Sequence, residues 1–432
     1  MKLVQGTLLA LLAVFFASSS ARGQAYTATR LDIPYLFGGS SVFRVNASGQ
    51  VTGSFSTRHG SIVSCCQGFL WSRTTGMIEL GSLGGGYSIG YGLNDAGEVT
   101  GWAATGAPDA ITGSDAFVWT QAGGMQDLGI SSHGQGGINN AGQVVGTYEL
   151  PLAEHAFLWS QGSGLKDLGT LGGNSSQAAA INSSGQVVGA SITGGSPRYQ
   201  VAFLWTETDG MQPILDPTYE SFASGINDSG QIVGTFTTDQ VHLNGYFWSP
   251  SGGMQDLGPE GSCCGNVFPA INSRGQVVGM RQTSDLTIVP FVWTQAAGMQ
   301  DLNTLVRSNI KLTYAGSINN AGQIVGWNYS SAFLLTPKMS VELKSSINPS
   351  MVGQGAIITA TVSSIAGPPP DGENITFISG KTLLAVVPLV NGVANFNTST
   401  LKAGGRRILA RYAGDATYES CRSTVLVQTI NK

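Results

Sequence analysis

The chain has 432 residues, more than one compact core usually holds, and only 11% of them are charged while 61 are glycine. A formal net charge of -4, with neither an acidic nor a basic tail, argues against a nucleic-acid partner, whose binding surfaces are basic. Low charge, abundant glycine, frequent valine, threonine and aromatics, and no long amphipathic helical pattern set the class as all-β and rich in turns.

The first residues carry one cation, Lys2, then an apolar run from Leu8 to Phe16, then the small residues Ala17 to Ala21. This is the layout of a secretory signal peptide, with cleavage expected near Ala21 or Gly23, so 1–23 are read as a leader. The run is shorter than the about 20 apolar residues that a spanning helix requires, and Asn431-Lys432 closes the chain with no apolar tail. The mature product is expected to be secreted or held at the cell surface, with no membrane span.

One nine-residue stretch, INSSGQVVG at Ile181 to Gly189, recurs along most of the chain. The other copies are RVNASGQVTG (Arg44 to Gly53), GLNDAGEVTG (Gly92 to Gly101), GINNAGQVVG (Gly137 to Gly146), GINDSGQIVG (Gly225 to Gly234), AINSRGQVVG (Ala270 to Gly279) and SINNAGQIVG (Ser317 to Gly326). Their asparagines, Asn46, Asn94, Asn139, Asn182, Asn227, Asn272 and Asn319, are spaced by 48, 45, 43, 45, 45 and 47 residues. Such a period suits a four-stranded propeller blade and is too long for a solenoid coil of one or two strands. Within a copy, the asparagine bonds its own backbone two residues on and the glycine supplies the positive φ of a short hairpin. A calcium loop would need several acids or carbonyls, and most copies offer no acid.

A third strand follows in each repeat: GFLW (Gly68 to Trp71), AFVW (Ala116 to Trp119), HAFLW (His155 to Trp159), VAFLW (Val201 to Trp205), YFW (Tyr246 to Trp248) and FVW (Phe291 to Trp293). Phe and Trp two apart point to one face and the intervening aliphatic to the other, so both faces need cover, which radially stacked blades give one another. A fourth strand of the type GMQDLG (Gly124 to Gly129, Gly253 to Gly258) places Asp127, Asp167, Asp256 and Asp301 on an outer edge, where charge discourages edge pairing. The last repeat stops at Pro337 without this strand. Thr27 to Pro34, carrying Leu31-Asp32-Ile33, is expected to supply it and close the ring. The reading is a seven-bladed β-propeller over 24–337.

These repeats resemble the bacterial extracellular HAF family, named for a His-Ala-Phe signature that stands here as His155-Ala156-Phe157. The resemblance covers about residues 36 to 337 and implies export and repeat architecture, without a defined activity. From Met339 the texture changes to short alternating strands such as IITATV (Ile357 to Val362) and NITFIS (Asn374 to Ser379). The loop Gly367 to Gly372, PLVNGVANF (Pro388 to Phe396) and YAGDATY (Tyr412 to Tyr418) resemble bacterial Ig-like repeat domains, so 338–432 is read as an immunoglobulin-like sandwich serving as spacer or second contact.

Function is sought on the disc face that carries the loops between second and third strands and between blades. Those loops vary in length and chemistry, whereas the other face repeats one turn. Arg58, His155, Tyr199 and His242 are the expected contacts for an extracellular glycan or surface protein. Five cysteines stand as two vicinal pairs, Cys65-Cys66 and Cys263-Cys264, plus Cys421. The pairs are expected on the variable face and oxidised after export, with connectivity open. Neither pair has zinc-site spacing and only four His exist, so no metal or cofactor is expected. Gly86-Tyr87-Ser88-Ile89-Gly90 matches the G-x-S-x-G nucleophile pattern but lacks the strand-to-helix elbow that the motif requires. The function expected is non-catalytic binding or adhesion; the alternative is a carbohydrate-active hydrolase using paired carboxylates.

Overall fold

The structure is a computed structural model that describes residues 24–33, 41–59, 62–106, 113–195, 199–237, 243–259, 269–283, 285, 287–307, 309–328, 330–415 and 417–432, with backbone alone for 57–59 and 62–65. The expected leader at 1–23, together with His242, Cys263, Cys264 and the side chains of Arg58 and Cys65, lies outside that description. Among the described residues the chain is all-β apart from a single 3-10 turn, Leu302–Thr304.

From residue 41 to 337 the chain makes consecutive four-stranded antiparallel units. Ser41–Val45, Val51–His59, Ile62–Ser72 and Gly76–Glu79 form the first, and the pattern repeats with Ser88–Leu93 to Gly124–Ser131. The units Gly137–Ile138 to Gly164–Asp167 and Gly172–Ile181 to Gly210–Pro213 touch through one parallel bridge, Glu154 to Ser175. Units beginning at Glu220–Ile226 and Ala270–Ile271 follow. The last unit takes three strands from Tyr314–Ile318, Ile324–Trp327 and Ala332–Pro337, and its outer strand from the N-terminus. Tyr26–Leu31 pairs antiparallel with Ala332–Pro337, from Tyr26 opposite Pro337 to Leu31 opposite Ala332.

The repeated asparagine does more than form a turn. Each side-chain Nδ2 donates to the backbone carbonyl of the next repeat's asparagine at 2.8–3.2 Å, and the series runs from Asn46 round to Asn319 and back to Asn46. The same amide donates to the Gln or Glu four residues on, at 2.7 Å for Asn46 to Gln50. Its Oδ1 accepts the backbone N–H at that position, as from Gln50 at 2.9 Å. All seven asparagines are buried, and a buried amide is tolerated because its donors and acceptors are engaged in this way. The following glycine has two reasons to be there. Gly97 sits at φ +81, and a Cβ on it would stand 3.0 Å from Gln50 Oε1 of the preceding repeat.

Hydrophobic cores lie between units as well as within them. One joins Val145, Ala156 and Leu158 to Val187, Phe203 and Trp205 of the next unit; another joins Val188 and Ala202 to Ala223, Ile232 and Tyr246. Trp71, Trp119, Trp205 and Trp293 are each 5% exposed, which assigns the aromatic stripe to packing between neighbours. Fully burying one such ring contributes about 1.5–3 kcal/mol. The fourth-strand acids act locally too: Asp127, Asp167 and Asp256 accept the backbone N–H two residues on at 2.7–2.8 Å.

The C-terminal part is a two-sheet sandwich. Ser340–Ser345, Ala356–Ser363 and Val393–Thr398 form one sheet; Asn374–Ser379, Gly404–Tyr412 and Leu426–Asn431 are the long inner members of the other. Ile358, Ala360, Ile375, Phe377, Ile408 and Ala410 fill the space between them. This sandwich rests on the asparagine-turn side of the ring. Arg274 donates to Ala366 O and, at 2.9 Å, to Pro368 O, while Thr417 Oγ1 donates to Ala47 O at 3.2 Å. Ala366 also fills the space beside Gly322, where a Cβ would stand 2.1 Å from its own.

Candidate functional site

The opposite side of the ring carries the loops between second and third strands, and there the molecule is indented by a cavity of about 350 Å³. Its wall comes from strand residues of three consecutive units and the segments beside them. Glu220 opens Glu220–Ile226 and faces Thr237 at the end of Ile232–Thr237, and Phe222 pairs with Thr235 in the same ladder. Gln200 is the first residue of Gln200–Thr206, Gln177 lies in Gly172–Ile181, and Thr147 lies in Val144–Leu150. Gly134, Gln135, Ala178, Ser221 and Leu243 complete the lining. Ser221 is fixed, its Oγ accepting Ala202 N–H at 3.0 Å.

The wall therefore presents amides, hydroxyls, one carboxylate and one phenyl ring. Glu154 stands behind it, accepting from Gln177 Nε2 at 3.4 Å and lying 3.3 Å from His133 Nε2. His133 also meets Glu149 at 2.9 Å through Nδ1. A cavity of this size with dispersed neutral polar groups suits a hydroxyl-rich small ligand better than an ion or a long apolar chain.

Of the four contacts expected from sequence, His242 and the Arg58 side chain lie outside the described residues, and His155 and Tyr199 are not among the residues lining this cavity. His155 is a strand residue, within Ala153–Ser160, and its Nδ1 lies 2.9 and 3.0 Å from the two oxygens of Asp167 on the fourth strand, with its ring edge-on to Tyr148 at 6.2 Å. Two residues before Phe157 on one strand face, His155 meets the acid of its own unit. Burial tends to raise the Asp167 pKa, but the Gly169 amide, His155 and Tyr148 outweigh it and hold the carboxyl below its ordinary value. Tyr148 is pushed up to about 12 by burial and by the Asp167 carboxylate. The Tyr199 carbonyl accepts Thr193 N–H at 2.9 Å and its own N–H donates to Thr193 Oγ1 at 3.2 Å, and its neighbour Gln200 lines the cavity. Leu243, the first described residue after the 238–242 segment, is on the wall.

Other sequence features resolve as structural. Ser88, the centre of the G-x-S-x-G match, is buried in a strand; its Oγ accepts Gly68 N–H at 3.0 Å and donates to Gly81 O at 2.6 Å. Ser176 repeats the arrangement with Ala156 N–H and Gly169 O. Cys66 is buried at a left-handed position, φ 49, in the Ile62–Ser72 strand. On the turn side, a second depression of about 210 Å³ is ringed by the asparagine turns, including Asp95 and Asp228. Those two acids serve neighbouring turns: Asp95 Oδ1 accepts Ala47 N–H at 2.8 Å and Asp228 Oδ1 accepts Ser183 N–H at 2.9 Å. Gln177, Gln200, Glu220 and Phe222 were not singled out by sequence, because each lies outside the repeated motif.

Residues 343–431 match the family described as bacterial Ig-like domain (group 3). No curated protein matches the chain. Among solved structures, the chain is similar to TolB from Acinetobacter baumannii at 10% identity and a TM-score of 0.41, over 57% of this chain and 62% of that one. It is similar to an extracellular domain from B. thetaiotaomicron assigned to a one component system, at 9% identity and a TM-score of 0.42, over 94% and 59%. It is also similar to acylaminoacyl peptidase from Pyrococcus horikoshii at 9% identity and a TM-score of 0.44, over 77% and 59%. The chain thus spans less than two thirds of the length of each of these proteins. Among the described residues, no helix is long and apolar enough to cross a membrane.

Proposed function

We propose that this chain is an exported, non-catalytic binding protein: a seven-bladed propeller of HAF-type repeats that presents a glycan pocket on its loop face, with the Ig-like domain as a spacer on the turn face. The observation that carries the reading is the 350 Å³ cavity walled by Gln135, Gln177, Gln200, Glu220, Phe222 and Thr235. Amide and hydroxyl groups match the alternating donors and acceptors of sugar hydroxyls, and Phe222 adds apolar surface to the wall. Volume favours one or two sugar rings. Ring closure by backbone and asparagine bonds gives the rigid frame that loop-borne recognition needs.

The competing reading is hydrolysis of a glycan. Glycosidic cleavage takes two carboxylates flanking the bond, and Glu220 is the one carboxylate on the described wall. Glu154 lies behind Gln177 and faces His133. This arrangement favours retention over cleavage. The test is incubation of the mature chain with a panel of extracellular polysaccharides, following retention on an affinity gel and release of reducing ends. Retention without reducing ends is expected; reducing ends that vanish in Glu220→Gln would establish the hydrolase instead.

A further inference from the structure

The axis of the ring is lined by the innermost strand of each repeat. Two positions before the ring asparagine, six repeats carry a small residue, Gly92, Gly137, Ala180, Gly225, Ala270 or Ser317, and the remaining repeat carries Arg44. All seven positions border one axial cavity of about 160 Å³. One step nearer the asparagines, an aliphatic collar running from Val45 through Ile181 to Ile318 separates this cavity from the turn-face mouth. On the other side, Arg44 borders a second space of about 30 Å³ with Phe43, Tyr91 and Trp327. Six small residues therefore make room on the axis for a single cation.

We propose that this channel holds a small monovalent anion, of halide size, between the Arg44 guanidinium and the Ser317 hydroxyl. Arginine keeps its charge in proteins, and Arg44 is half-buried on the axis, where a cation partly withdrawn from bulk water is stabilised by a counter-charge or a full set of acceptors. Among the described residues the Arg44 guanidinium donates to one acceptor, Phe43 O at 3.1 Å, and no carboxylate borders either cavity. Burial accordingly lowers the Arg44 pKa from its ordinary value. Ser317 is 4% exposed and accepts Val45 N–H at 3.3 Å, which leaves its hydroxyl hydrogen directed by no acceptor among the described residues. A cation and a spare O–H donor thus share one cavity that offers no anionic group of its own. Ser317 and Arg44 both border the larger cavity, of about 160 Å³, and the aliphatic collar disfavours a hydrated divalent ion, so one positive charge beside an apolar collar selects a small monovalent anion.

The experiment is a melting series of the mature chain in sodium bromide against sodium gluconate at matched ionic strength. Bromide is expected to raise the midpoint by about 3 °C as the site fills, with saturation, and Arg44→Met is expected to abolish the difference between salts. A bromide-soaked crystal should give an anomalous peak beside the guanidinium. Should Arg44→Met fail to fold, Ser317→Ala, which retains the charge, is expected to move the bromide midpoint several-fold higher in concentration. Equal melting in both salts, the same bromide effect in Arg44→Met, or anomalous peaks on the outer surface alone would overturn the proposal.

Discussion

Asn319 Nδ2 donates to the backbone carbonyl of Asn46 at 2.8 Å, joining residues 273 apart in sequence with the same bond that joins every neighbouring pair of repeats. The ring is closed at its centre by this contact and at its rim by Tyr26–Leu31 on Ala332–Pro337.

Replacing Asn319 by Ala removes donors to Asn46 O and Gln323 Oε1 and the acceptor of Ala321 and Gln323 N–H, all of them buried. A loss of about 2–3 kcal/mol is expected. Asn140→Ala, at an exposed turn position bonded to Asp95, is expected to cost less than about 1 kcal/mol. Urea denaturation of both variants checks this, and equal losses would mean the ring bond carries no special weight.

Removing residues 24–33 opens the last unit. The outer ladder goes, together with the burial of Tyr26 and Leu31, each 1% exposed. At about 1 kcal/mol per ladder bond this is a large share of a typical 5–15 kcal/mol. The truncated protein should melt many degrees lower; a midpoint within about two degrees of the intact chain would show that the rim does not need the strand.

The Cys421 thiol, partly buried on the Cys421–Arg422 strand, is pushed up to about 11 by burial. At pH 8 its reactive thiolate is then about a thousandth of the total. Iodoacetamide at that pH is expected to leave Cys421 unmodified in the native chain and to label it fully in urea, as read by peptide mass spectrometry. Rapid labelling of the native chain would contradict the buried placement.

Asp167 supplies a pH-dependent contribution. Its folded pKa is depressed, so the stabilisation is present above the unfolded value of about 3.9 and fades as pH falls through the lower folded value. Because the side chain is 43% exposed, solvent screening keeps the effect small. Asp167→Asn should lower the urea midpoint at pH 7 and change it less at pH 3. A larger loss at pH 3 would reverse the assigned sign.

The repeat, its period, the strand that each motif forms and the exchange of the N-terminal strand were legible because they depend on local spacing and on alternation of apolar residues. Asn46 was legible as a turn residue from its own neighbours. Its bond to Asn94 O was not, since nothing in one copy says that the next copy's carbonyl lies 3.0 Å away. Glycine illustrates the same limit: positive φ at Gly97 follows from the turn, whereas the approach of Gln50 follows only from stacking. The loop face was legible as the variable side, but its contacts were sought among charged and aromatic loop residues. For His155 the partner that sequence did not show is Asp167, supplied by the fourth strand of its own unit. Gln177, Gln200 and Glu220 are ordinary polar residues until three units bring their strands together.

The central claim is that the cavity bordered by Gln200 and Phe222 is where ligand binds. Once a retained glycan is identified, calorimetric titration of the mature chain, of the double variant Gln200→Ala with Phe222→Ala, and of the turn-face variant Ser183→Ala decides it. Loss of both a hydrogen-bonding amide and the apolar surface of Phe222 should weaken binding by at least about tenfold, which is about 1.4 kcal/mol, with Ser183→Ala unchanged. Unaltered affinity in the double variant, with loss in Ser183→Ala, would place recognition on the asparagine-turn face and contradict the account.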